Sequence, residues 1–155
     1  MIDSKWADFI VGWALWIVDQ RRLNHSYSFL GVEHYKQTST TPIPTGEVTV
    51  KMLFESDEPK PGSGGRVTLW AGDEQIGEGR LDKTIPITPT SYAGMDMGRD
   101  NGLVVDLAYE DKAPYPFTGE LRTVTFDLQP AGTHDDERAL HQHAAVHSVA
   151  HGVAG

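Results

Sequence analysis

The sequence predicts an all-β chain folded as an antiparallel β-sandwich of the jelly-roll or lectin-like kind, closed by a C-terminal α-helix. Three observations carry that expectation. Short runs alternate apolar and polar residues with period two, as strands with one face in a core do. Turn-forming residues, among 16 glycines and 9 prolines, fall between the runs. The length, 155 residues, suits one domain that buries about 70% of its unfolded surface.

The opening residues admit two readings. Trp6, Phe9, Ile10, Trp13 and Ile17 recur at helical spacing, whereas Gly12 to Val18 (GWALWIV) is a short aromatic-rich run. Its length and β-branched end favour a strand from about Trp13. Leu23, His25, Tyr27 and Phe29 then alternate with Asn24, Ser26 and Ser28. Gly31 can take the positive φ of a sharp reversal, which makes FLGV a strand–turn–strand corner. Val48, Val50, Met52 and Phe54 form the next alternating set, and Val67, Leu69 and Ala71 another. Between these sets EPKPGSGG (58–65) reads as a loop, and Ala71-Gly72-Asp73-Glu74 as a hairpin. Val124, Phe126 and Leu128 supply the last such run.

The tail differs in character. DDERALHQHAAVHSVAHGVAG is rich in Ala, with Thr133 or Asp135 as a candidate cap and Gly152 as a stop. The chain thus divides into an atypical N-terminal segment (1–11), a sandwich (12–130) and an Ala/His-rich helical tail (131–155).

Composition removes several function classes. With 22 acidic against 13 basic residues the net charge is −9, which repels phosphate backbones and anionic lipid. No nucleic-acid or membrane partner is expected. The absence of cysteine excludes disulfides, thiol nucleophiles and Cys-ligated zinc. No signal peptide or membrane-length apolar stretch is found, so the chain as written is expected to stay cytoplasmic. Phosphate loops, dinucleotide fingerprints and nucleophile elbows are absent from the sequence.

Three groups of residues invite chemistry. His143, His147 and His151 are spaced by four and would line one helix face, where an i, i+4 pair can grip zinc or nickel; the Glu of a catalytic H-E-x-x-H is missing. Asp96, Asp100, Asn101 and Asp106 lie in the glycine-rich GMDMGRDNGLVVD, where oxygen ligands can hold calcium, although the spacing is not that of an EF-hand. Solvated helix and turn residues are the plainer reading of both. Glu33 with His34, or Glu110 with Asp111, are sequence neighbours that a strand sends to opposite faces, which argues against an acid–base pair. Trp13, Trp16, Trp70, Tyr27 and Tyr35 can stack on sugars, or pack a core.

The blocks LNHSYSFLGVEHY, GSGGRVTLWAGDEQIGEGRLDKTIP, GMDMGRDNGLVV and YPFTGELRTVTFDL occur in this order. Together, over roughly Gly12 to Leu128, they resemble the C-terminal region of bacterial arylsulfatases. That family joins a tyrosine-rich strand and a Phe-aliphatic-Gly corner to a G-G-x-V-T-L strand, a hairpin ending G-E-G-R, a D-x-G-x-D-x-G loop and a final F-T-G-x-[IL]-x-x-V-T strand. The resemblance implies a non-catalytic β-sandwich, structural or accessory to an α/β catalytic domain that is absent from this chain. The formylglycine made from a C/S-x-P-x-R motif, and the calcium beside it, would belong to that missing domain. Ser56-Asp57-Glu58-Pro59 places its proline one position too late and lacks the arginine. Asp135-Asp136 resembles a sulfatase aspartate pair but follows the sandwich, and is read as a helix cap.

Two departures stand out. MIDSKWADFIV replaces the family's opening strands, and Asn101-Gly102-Leu103-Val104 stands where a proline is common. A sandwich lacking its opening strands exposes a sheet edge, which invites self-association. The partners expected are therefore a sulfatase catalytic domain or a second copy, and no cofactor is expected in this chain. A stand-alone carbohydrate-binding sandwich, with a glycan as partner, is the alternative reading.

Overall fold

A computed structural model describes residues 2–6, 11–86, 95–101, 104–128 and 143–152; for 2–6, 11, 18, 19 and 143–152 it describes the backbone alone. The architecture is all-β. Ten strands run in order: β1 (Ile2–Trp6), β2 (Val11–Val18), β3 (Arg22–Phe29), β4 (Glu33–Thr38), β5 (Gly46–Ser56), β6 (Gly65–Ala71), β7 (Glu74–Leu81), β8 (Met95–Met97), β9 (Glu120–Leu128) and β10 (His143–Gly152). They form two five-stranded antiparallel sheets, in the orders β4-β3-β2-β1-β8 and β7-β6-β5-β10-β9.

The two sheets meet across one apolar core. Leu15 and Leu23 from the first sheet pack with Val50, Val67, Leu69 and Ile76 from the second. Period two explains the placement: Leu23, His25, Tyr27 and Phe29 share the inward face of β3, opposite Trp13, Leu15 and Ile17 of β2. On the other face of these strands Ala14, Trp16, Asn24, Ser26 and Ser28 are buried as well. A loop carrying a 3-10 helix (Leu107–Lys112) covers that outer face, so GWALWIV is apolar on both sides for a physical reason.

At the FLGV corner Leu30 and Gly31 both take positive φ, 54° and 67°, and the Val32 amide donates to the Phe29 carbonyl at 3.1 Å. Glycine accepts that conformation freely, whereas leucine does so at a steric cost. The segment 1–11, set apart in the sequence, contributes β1, which pairs with both β2 and β8.

The helical tail is corrected by the structure. Residues 143–152 are a β-strand, and the proposed caps at Thr133 and Asp135 lie outside the described residues. Alanine is a strong helix former, but propensity yields to tertiary context, and β5 and β9 each present an open row of backbone groups on either side of this segment. Pairing with both satisfies those ladders at once, from Gly46↔Gly152 to Glu55↔His143 and from Glu120↔His151 to Leu128↔Ala144. The tail is thus an interior strand of its sheet, between β5 and β9.

Candidate functional site

The sequence candidates for metal binding are not gathered. In a strand, residues four apart lie about 13 Å apart along the chain, against about 6 Å on a helix. The strand therefore replaces the helix face on which His143, His147 and His151 were to converge. Asp96 closes its own loop, accepting from the Asn101 amide (2.8 Å) and side chain (3.0 Å). Asp100 is buried and accepts from the Tyr109 hydroxyl at 2.8 Å. Asp106 caps the 3-10 helix through the Ala108 amide at 2.8 Å. Among the described residues no three His, Asp or Glu side chains form a metal-holding group.

The other candidates are equally dispersed. Glu33 pairs with Lys83 at 2.5 Å and accepts from the Tyr35 hydroxyl at 2.6 Å, contacts that hold its carboxyl below the ordinary carboxylate range. Burial and that same carboxylate push the Tyr35 phenol up to about 12. Its neighbour His34 is exposed. Glu110 and Asp111 are exposed on the 3-10 helix. Trp16 is buried, and Lys51 Nζ lies over the Trp70 ring at 4.8 Å.

Each face of the first sheet carries a concave feature among the described residues. On the outer face a hollow of about 170 Å³ lies beside Ser26, Lys36 and Asp106. Its polar groups are already paired. The Trp16 indole donates to Ser26 Oγ (3.0 Å), Ser26 donates to Asp106 (2.7 Å), and Lys36 Nζ reaches the same carboxylate at 3.2 Å while lying 4.5 Å from the Trp16 ring centre. Burial alone would raise the Asp106 carboxyl. The Ala108 amide, the Ser26 hydroxyl and the Lys36 ammonium outweigh it and hold the group below its usual range.

The inner feature is a cleft of about 310 Å³ between the sheets. Trp13, His25 and Tyr27 form one wall, Met52, Phe54 and Val67 the other. Leu81 and Thr84 close one side, and Met95, Phe126 and Leu128 stand at the mouth. The mouth residues are exposed, Leu128 most of all at 71%, while Trp13 and Phe126 meet edge to face with centroids 6.4 Å apart.

His25 is the polar group in that apolar wall and is 2% exposed. Its Nδ1 lies 2.7 Å from Gln37 Oε1, and the Gln37 amide nitrogen donates to the Arg80 carbonyl at 3.2 Å. The amide therefore offers the ring its oxygen, so Nδ1 carries the proton and Nε2 is an acceptor. Burial lowers the ring's pKa from 6.5 to about 4, against the Gln37 bond that raises it, so the ring is neutral at pH 7. Tyr27 Oη accepts from the Ile85 amide at 3.0 Å, and burial raises its phenol above the ordinary value.

Sequence reasoning placed His25 on an inward strand face but gave it no role. The available signal was a titratable residue inside an otherwise apolar alternating set. Its partner Gln37 and the Arg80 carbonyl come from separate strands, and no local pattern links them.

Compared with known proteins, the chain matches no family model, no curated protein and no solved structure.

Proposed function

We propose that this chain is a non-catalytic accessory β-sandwich of the arylsulfatase type, built to pack against a catalytic domain, and that its two sheets form a jelly-roll, lectin-like arrangement. The single observation that carries the reading is the FLGVEHY corner. It holds Leu30 and Val32 exposed at 45% and 78% on a turn next to the Glu33–Lys83 pair. An apolar tip beside an ion pair suits docking to another protein surface. Further support comes from the carboxylates. Asp96, Asp100, Asp106 and Glu33 each serve a separate local contact, which suits a structural part better than a reaction centre.

The test is a complementation. A sulfatase catalytic domain stripped of its own C-terminal sandwich is mixed with this chain, and turnover of 4-methylumbelliferyl sulfate and complex formation by sedimentation are followed. The expected result is no turnover by the chain alone, and a complex that weakens at least tenfold when Leu30→Asp and Val32→Asp are introduced together. Sulfate-ester turnover by the isolated chain, or the absence of any complex, overturns the reading.

A further inference from the structure

The inter-sheet cleft carries a few hydrogen-bonding groups in an otherwise apolar wall. Its lining is apolar apart from His25, Tyr27 and Thr84, and the Thr84 hydroxyl is already given to the Ser63 carbonyl at 2.8 Å. None of the described lining residues bears a charge. The His25 ring is anchored from one side only, through Nδ1, and no partner of Nε2 occurs among the described residues. The ring lines the cleft, and a ligand that supplies a donor to Nε2 gains a hydrogen bond in apolar surroundings. Tyr27, two residues along the same strand face, spends its oxygen on the Ile85 amide and keeps its own proton to donate.

A cleft of about 310 Å³ stands at the small end of ligand sites, which are apolar cavities with a few placed polar groups. An ionised ligand would lose its hydration there and find no counter-charge among the described lining residues. A sugar would leave most of its hydroxyls facing Met52, Phe54 and Val67.

We propose that this cleft is a binding site for a neutral, mainly aromatic or aliphatic molecule of one or two rings that carries one hydroxyl, whose O–H donates to His25 Nε2 while the rings fill the space between Trp13 and Phe54. Phe126 and Leu128 at the mouth cover the outer part of such a ligand.

The test uses three probes of one shape on the full chain: 2-naphthol, naphthalene and 2-naphthoate at pH 7. Affinities are read by titration of amide NMR shifts, and the His25 Nε2 nitrogen shift is followed in the same samples. The site predicts that 2-naphthol binds at least tenfold more tightly than naphthalene, that 2-naphthoate binds at least tenfold more weakly than 2-naphthol, and that only 2-naphthol moves the Nε2 resonance. The His25→Phe variant, if folded, should bind both neutral probes alike; the Nε2 shift in the unmodified chain decides the matter if that variant fails to fold. Equal binding of the two neutral probes, tighter binding of the anion, or an unmoved Nε2 resonance overturns the proposal. So does sedimentation of the free chain as a dimer whose cleft resonances are protected, because a second copy then fills the space.

Discussion

The first sheet has two buried faces, and they are finished differently. On the outer side Trp16, Tyr109 and Tyr115 interlock, with ring centroids 4.7, 5.9 and 5.3 Å apart, and the polar atoms among them form a closed chain from the indole through Ser26 to Asp106. On the inner side the same strands meet the second sheet tightly around Leu15 and Leu23, but the packing opens towards Trp13 and Tyr27 into a cleft holding a half-satisfied imidazole. Aromatic residues and a polar–titratable pair occur on both. Closure, and not composition, separates a face that holds the fold together from one with room for something else.

The largest expected effect breaks the closed face. Trp16→Ala removes a buried indole, its hydrogen bond and two ring contacts, and should cost about 3–5 kcal/mol in urea unfolding. Phe126→Ala at the cleft mouth, where the side chain is already 37% exposed, should cost about 1 kcal/mol. Equal losses for the two would erase the distinction between the faces.

Acid should separate them next. The unfolded His25 titrates near 6.5 and the folded ring near 4, so the folded state takes up its proton later as pH falls. The associated stability is complete above pH 6.5 and is lost progressively down to about pH 4, a change of about 3 kcal/mol. Asp106 acts in a lower window. Its carboxyl is depressed from 3.8, so its contribution is present above that value and lost only below it. Urea midpoints measured between pH 7 and 4.5 should therefore fall in the parent protein and stay much flatter in His25→Leu. A flat parent profile would mean that the imidazole is not held neutral.

A smaller effect probes the support of that ring. A Cβ placed on Gly79 would meet Gln37 Cγ, in the side chain that orients His25. Gly79→Ala should cost about 1–3 kcal/mol and shift the His25 ring resonances. Smallest of all is Glu78→Gln. It breaks the exposed Arg66–Glu78 pair, 2.5 Å apart, on the outside of the second sheet, and should leave the thermal midpoint unchanged within error.

Much of the frame was legible in the chain itself. The alternating runs at 23–29, 48–54, 67–71 and 124–128 lie within β3, β5, β6 and β9, and the hairpin at Gly72 joins β6 to β7. Period two is a local signal, set by the pleat, and survives any tertiary arrangement. The tail was not legible in the same way. Its alanines favour helix on local grounds, and its strand exists because two distant edges, β5 and β9, flank it. The loop carboxylates were recognisable as polar turn residues. Their actual partners, Tyr109 for Asp100 and Ser26 and Lys36 for Asp106, come from other parts of the fold, which spacing in one dimension does not encode. His25 was legible as a position and not as a chemistry, for the same reason.

The place of β10 has a consequence in time. Synthesis releases β5 well before β9, yet within their sheet these two strands are held together through β10, whose register joins Gly46 to Gly152. The first sheet can assemble from near neighbours in sequence, β2, β3 and β4, as each emerges. The second sheet must hold β5 with one ladder unfilled until the last described strand is available. Loops that long close slowly, and an unfilled ladder is a template for any other extended chain. Between the emergence of β5 and that of β10 the nascent chain thus carries an adhesive edge, and its yield should depend more on how quickly residues 143–152 arrive than on the stability of the finished fold.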